Sequence, residues 1–135
     1  CEGTIDDLRG LKLSGRKAEY IYEISQRAVQ GYLDYKTLNK LSSEEIIQKL
    51  IEIRGIGRWT AEWVLLRSLA RIDVLPAGDL ALQRMIAEYY FYQEKLTEEK
   101  VRLFARKHWH PFQGLVTLYL FALLREKRQQ APIAN

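Results

Sequence analysis

Residues 50–61, Leu50-Ile51-Glu52-Ile53-Arg54-Gly55-Ile56-Gly57-Arg58-Trp59-Thr60-Ala61, join two amphipathic segments through a few residues that include two glycines. Glycine tolerates positive backbone dihedrals and carries no side chain, so the amides of Gly55, Gly57 and their neighbours can approach a phosphate oxygen closely. Those amides also open the next helix, whose N-terminal partial positive charge favours an anion. Ile56, between the glycines, is expected to pin the turn to the core. Thr60, in the first helical turn, offers a further amide and a hydroxyl to the same phosphate. Such a turn holds a nucleic-acid backbone without reading bases. The glycine pair alone fits equally well an ordinary helical hairpin in which glycine only makes the bend.

Outward from the turn the pattern stays helical. Ser42 with Glu45 three residues on forms a capping box that opens a helix over 44–53, and a second helix is predicted from Trp59 to about Ala70. Upstream, Ala18, Ile21, Tyr22, Ile24, Ala28 and Val29 stripe a helix over 16–30 that Gly31 closes, and 35–39 suits a single turn. Downstream, Pro76 and Gly78 make 73–78 a loop, after which Asp79 stands as the N-cap of another helix. Thr97 with Glu98 and Glu99 starts a helix over 100–107. Pro111 is expected to begin the last one, with a fraying end at Arg125-Glu126-Lys127-Arg128. With only three prolines, eight glycines and no repeat or low-complexity linker, the prediction is an all-α fold. It takes the form of one compact multi-helix domain over 1–135, with a helix-hairpin-helix at about 43–70.

Composition narrows the function. The 135 residues are 47% hydrophobic, enough for a core, and 21 basic against 17 acidic residues leave a net charge of +4. That balance suits an anionic partner without proving one. The lone cysteine, Cys1, excludes an internal disulfide framework and a cysteine-ligated zinc or iron–sulfur site in these residues, and fits an intracellular, reducing compartment. Apolar runs such as 118–124 are far too short to span a membrane, so no membrane partner is expected. The chain does not begin with methionine and enters structure at once through Ile5, Leu8 and Leu11, as a piece of something longer would.

The stretch 53–61, followed by Leu65-Leu66-Arg67 and Leu75-Pro76-Ala77-Gly78-Asp79-Leu80, resembles the signature of the helix-hairpin-helix DNA glycosylase superfamily. Its likeness is greatest to the 3-methyladenine glycosylase II, AlkA-like branch. Leu13-Ser14-Gly15-Arg16-Lys17 upstream and Trp109-His110-Pro111-Phe112 downstream extend it over roughly 8–125. The resemblance implies a base-excision enzyme acting on double-stranded DNA that contains damaged bases, in the cytoplasm or nucleoid, or in the nucleus of a eukaryote. Complete members carry helices ahead of the matched region. The chain therefore reads as a C-terminal portion, which could bind DNA weakly, self-associate through exposed apolar surface or lack activity alone.

By the same resemblance the catalytic carboxylate is Asp79. Breaking a purine glycosidic bond builds positive charge on the sugar, which a nearby carboxylate stabilises while helping to deprotonate the attacking water. Asp79 fits a plain N-cap as well, and the two roles are compatible, since a cap holds the carboxylate still. Bifunctional members carry a nucleophilic lysine just after the hairpin glycines. Here that position is Trp59, which implies a monofunctional hydrolase. The indole of Trp59 can stack on an extruded, alkylated and hence cationic base, whereas Trp63 reads as core. Gly55, Gly57, Arg58 and Thr60 are the expected phosphate contacts. No cofactor is implied beyond a monovalent ion, sodium or potassium, on the main-chain carbonyls of Ile51, Ile53 and Ile56. His108 and His110 lack a third ligand nearby and suit surface or cap roles.

Two other readings stay open on the sequence. A noncatalytic helix-hairpin-helix DNA-binding module would use the glycine turn and need no aspartate. A plain helical scaffold would give neither the glycines nor the charge a common purpose.

Overall fold

Helices begin where the sequence supplies side-chain acceptors. In the computed structural model, which describes residues 3–92 and 95–130, Thr4, Asp34, Ser42, Asp79 and Thr97 each accept a backbone amide at a helix start. Cys1 lies outside the described residues. Every regular element among the described residues is helical, so the fold is all-α. The order is α1 (Ile5–Gly10), α2 (Gly15–Val29), α3 (Tyr35–Leu38), α4 (Ser43–Ile51), α5 (Arg58–Ser68) and α6 (Leu80–Ile86). A π-helical turn (Ala87–Phe91), α7 (Glu98–Trp109) and α8 (Gln113–Gln130) complete it. No helix is long and apolar enough to cross a membrane. Contacts divide the chain into two compact units, residues 1–61 and 62–135, and the division falls inside α5.

In the first unit α1 packs on α2. The close of α2 follows the glycine signal: Gly31 takes φ +78°, its amide bonds to the Ala28 carbonyl and the Tyr32 amide to that of Arg27. Two starts are reciprocal capping boxes, Thr4 with Asp7 and Ser42 with Glu45. A backbone hydrogen bond from Thr4 holds the Asp7 carboxyl below its ordinary value, and the Ser42 hydroxyl does the same for Glu45. Tyr32 ties the end of α2 to α4, its hydroxyl donating to Glu52 Oε2 at 2.6 Å under a Lys49 ammonium 3.7 Å from the ring centre.

The second unit has a continuous apolar core made by Leu82, Met85, Ile86 and Ala87 with Leu96, Val101, Ala105 and Leu120. Leu75 and Ala77, from the loop before α6, belong to it. Phe91, Phe104 and Trp109 pack against that core, Phe104 meeting each of the other two rings edge-on at 5.0 and 5.3 Å.

Several boundaries depart from the sequence reading by about two residues, among them α4, which ends at Ile51 rather than 53, and α7, which runs over Glu98–Trp109 rather than 100–107; three others have a visible local reason. First, α5 ends at Ser68 rather than near Ala70, because Ala70 takes the left-handed φ of +51° that ends a helix. Second, α8 begins at Gln113 and not at Pro111. Pro111 and Phe112 form a turn, the Phe112 amide bonding back to the Trp109 carbonyl and its own carbonyl accepting the Val116 amide. Third, the end of α8 runs on through Arg125–Arg128 to Gln130 instead of fraying. Basic residues suit a helix C-terminus, and Lys127 is tethered to Glu88 at 3.3 Å and over the Tyr89 ring at 4.6 Å. The π-helical turn had no counterpart in the sequence reading.

Candidate active site

The hairpin turn gathers most of the predicted residues by sequence adjacency. Ile53 is fully buried, Ile56 half-buried, and Gly55 and Gly57 lie on the surface. The two glycines do different work. Gly55 has φ +92°, and a Cβ there would come within 2.5 Å of the Tyr20 ring. Gly57 has nothing within 4 Å of the Cβ it lacks. Its carbonyl accepts the Ala61 amide, which makes it the residue that opens α5 with no side chain to cover the first-turn amides.

Gly55→Ala therefore combines left-handed strain with a clash against an aromatic ring. We expect a loss of about 2–4 kcal/mol from the two effects, measured by urea unfolding. Gly57→Ala should cost no more than about 1 kcal/mol, the usual penalty of alanine at a cap.

The side chains around the turn are committed to different degrees. Arg58 forks onto Glu44, Nη1 to Oε1 at 3.0 Å and Nη2 to Oε2 at 2.7 Å, so an incoming phosphate would compete with a bidentate carboxylate. Arg54 faces Glu19 at 3.5 Å. Thr60, in the first turn of α5, is half-buried. Trp59 is 49% exposed. Trp63, one turn later, is half-buried, meeting Phe121 edge-on at 5.2 Å with the Arg67 guanidinium over its ring at 4.6 Å. Trp59 is thus the more exposed of the two indoles. The Ile51 carbonyl sits in the last turn of α4, where intrahelical partners run out, and the Ile53 carbonyl accepts the Ile56 amide at 3.0 Å, leaving one lone pair. Carbonyls at the C-end of a helix are the donor chemistry a monovalent cation takes.

Asp79 stands in the second unit as the N-cap of α6. Its Oδ1 accepts the amides of Ala81 at 2.9 Å and Leu82 at 3.1 Å, and its own amide bonds to the Pro76 carbonyl at 2.9 Å. The carboxylate is half-buried with its rotamer fixed by two hydrogen bonds.

The loop that delivers Asp79 is clamped at three carbonyls by three helices. The Gly114 amide of α8 donates to Ile72 O at 2.7 Å, Arg102 Nη1 of α7 to Leu75 O at 3.3 Å, and Gln83 Nε2 of α6 to Ala77 O at 2.7 Å. A Cβ at Gly114 would lie 3.0 Å from the Ile72 and Val74 carbonyls, so glycine permits that close approach. Arg102 is in turn held by Glu62, whose side chain is 1% exposed, at 2.8 Å, and by Glu98 at 2.7 Å. Burial alone would push the Arg102 guanidinium down, but the hydrogen bonds and charges of the two glutamates outweigh it and hold it above its ordinary value.

Sequence reasoning missed Glu62, Gln83 and Arg102. The available signal was a glutamate at 62 beside the buried Ala61, Leu65 and Leu66 of α5. His110 lies within 3.4 Å of Gln113 Nε2, and the His108 ring packs 4.6 Å from that of Phe104. Among the described residues no three side chains of metal-ligating type come together.

Several known proteins are similar to this one. The 3-methyladenine DNA glycosylase of Archaeoglobus fulgidus superposes with a TM-score of 0.76 at 38% identity, over 90% of this chain and 40% of that one. A Bacillus subtilis DNA-3-methyladenine glycosylase is 33% identical over 121 residues, 90% of this chain and 40% of its own length. The Schizosaccharomyces pombe 3-methyladenine DNA glycosylase, whose structure is in complex with abasic DNA, superposes with a TM-score of 0.77 at 31% identity, over 88% of this chain and 58% of that one. The chain thus spans between 40% and 58% of these relatives. Residues 2–111 match the family model for HhH-GPD superfamily base excision DNA repair proteins, and the chain belongs to that family.

Proposed function

We propose that this chain carries the catalytic portion of a monofunctional DNA glycosylase that hydrolyses the N-glycosidic bond of alkylated purines, such as 3-methyladenine, in double-stranded DNA. The observation that carries the reading is the Asp79 carboxylate, fixed at the start of α6 by two amide hydrogen bonds at the end of a loop clamped from three helices. A preorganised charge of this kind need not reorganise as the sugar becomes cationic.

In the reaction, water attacks C1′ of the extruded nucleotide and the C1′–N bond breaks. The base leaves with the bonding electrons, neutralising its alkylated ring, and Asp79 accepts the proton lost by the water. The exposed indole of Trp59 supplies the stacking face for a cationic base. The amides at Gly55, Gly57 and Thr60 hold a backbone phosphate, with Arg58 joining if it exchanges Glu44 for phosphate. A sodium or potassium ion on the carbonyls of Ile51, Ile53 and Ile56 would add positive charge at that phosphate. The substrate places the protein inside the cell with the genome, in the nucleoid or nucleus.

With Trp59 where a lyase needs lysine, products should be free base and intact abasic strand. Incubation with methylated duplex, chromatography of released bases and denaturing gels before and after alkali test this. Base release with strand breaks only after alkali is expected. Breaks without alkali, or a borohydride-trapped protein–DNA adduct, would contradict the monofunctional assignment.

A further inference from the structure

Among the described residues Arg9, Arg27, Arg54, Arg58, Arg102 and Lys127 pair with carboxylates, while Arg67 and Lys49 lie over aromatic rings. Two other cations share one hollow. Arg84, on the exposed side of α6, and Lys95, ahead of α7, line one concavity of about 310 Å³ with Leu80 and Gln83. Among the described residues neither has an ion-pair partner and no carboxylate lines the hollow.

The floor and wall of this hollow are fixed. The Gln83 amide is locked onto the Ala77 carbonyl at 2.7 Å, and Leu80, 64% exposed, directly follows Asp79 and forms an apolar lip. Two like charges lining one hollow repel until an anion sits between them, and a guanidinium and an ammonium are both donors to phosphate oxygens. Leu80 and Arg84 are neighbours on α6 at the i, i+4 spacing, so an anion here lies about one helical turn from the carboxylate at Asp79.

We propose that the Leu80–Gln83–Arg84–Lys95 hollow is a second backbone-phosphate site, separate from the hairpin turn, that takes a phosphodiester of the strand carrying the extruded nucleotide. It rests on the reading that the chain binds duplex DNA. It gives the strand a fixed point about one helical turn from the Asp79 carboxylate.

The test is duplex affinity over a potassium chloride series for the wild type, Arg84→Gln, Lys95→Gln and the double variant, with Lys127→Gln as a control. Loss of one phosphate contact should lower the slope of log K against log salt by about 0.9 in the double variant and weaken methylated and undamaged duplex alike. Lys127→Gln should leave the slope unchanged. An unchanged slope in the double variant, or an equal fall in the Lys127 control, overturns the proposal. So does inorganic phosphate shifting the Arg84 and Lys95 resonances while the duplex slope stays put, since the hollow would then be a free-anion site. If the protein releases no base but the slope still falls, the phosphate contact stands and the catalytic reading fails.

Discussion

Asp79→Asn is expected to slow base release by at least about 10²–10³-fold while leaving the fold and duplex binding almost untouched. Asparagine is as good an N-cap as aspartate, and its carbonyl oxygen can accept the same Ala81 and Leu82 amides that Oδ1 accepts now. The substitution thus separates charge from architecture: the cap survives, and only the side chain's negative charge is lost. Asp79→Ala removes both and should cost in addition about 1 kcal/mol of stability. Single-turnover release from methylated duplex, with unfolding curves and duplex titrations on the same samples, checks the separation. An Asp79→Asn variant that turns over like the wild type would remove this carboxylate from the chemistry, whatever the family.

The second large effect is expected at Arg102. Replacing it with methionine takes from the Glu62 carboxylate, 1% exposed, its 2.8 Å guanidinium partner, and breaking one side of a buried ion pair costs about 3–5 kcal/mol. Replacing both, Glu62→Leu with Arg102→Met, removes the buried negative charge as well and should recover most of that loss. The double variant still lacks the donor to the Leu75 carbonyl, so the loop before Asp79 loses one of its three clamps. At a temperature where it is folded we expect slower base release, up to about 10²-fold if the carboxylate moves by an ångström. Urea midpoints for both singles and the double, together with release rates, test the two parts independently. A double variant as unstable as Arg102→Met would show that the pair's contribution is packing rather than charge compensation.

The parts of this structure that could be read from sequence are those settled within a few residues of chain. The Ser42–Glu45 box, the Gly31 close of α2, the Thr97 start of α7 and the Asp79 cap each depend on one acceptor or one glycine at a fixed offset from a periodic apolar stretch. The glycine turn was legible for the same reason, but not the difference between its two glycines. That difference arises because Tyr20, from another helix, lies where a side chain at Gly55 would go, and no local pattern records it. The loop clamps were hidden likewise: Glu62 and Arg102 are 40 residues apart, and each alone reads as an ordinary helical charge. The last helix was misplaced at both ends because Pro111 is equally at home in a turn, and because its basic end is held by Glu88 and Tyr89 from the region of the π-helical turn.

The central claim is tested most directly by a crystal structure of the protein on duplex DNA in which a cationic pyrrolidine replaces the sugar of the extruded nucleotide. The account predicts an Asp79 carboxylate oxygen about 3–3.5 Å from the ring nitrogen, with amides of the Gly55–Thr60 turn on a phosphate of the same strand. A pyrrolidine whose charge faces some other acid, with Asp79 turned only toward the start of α6, would contradict it.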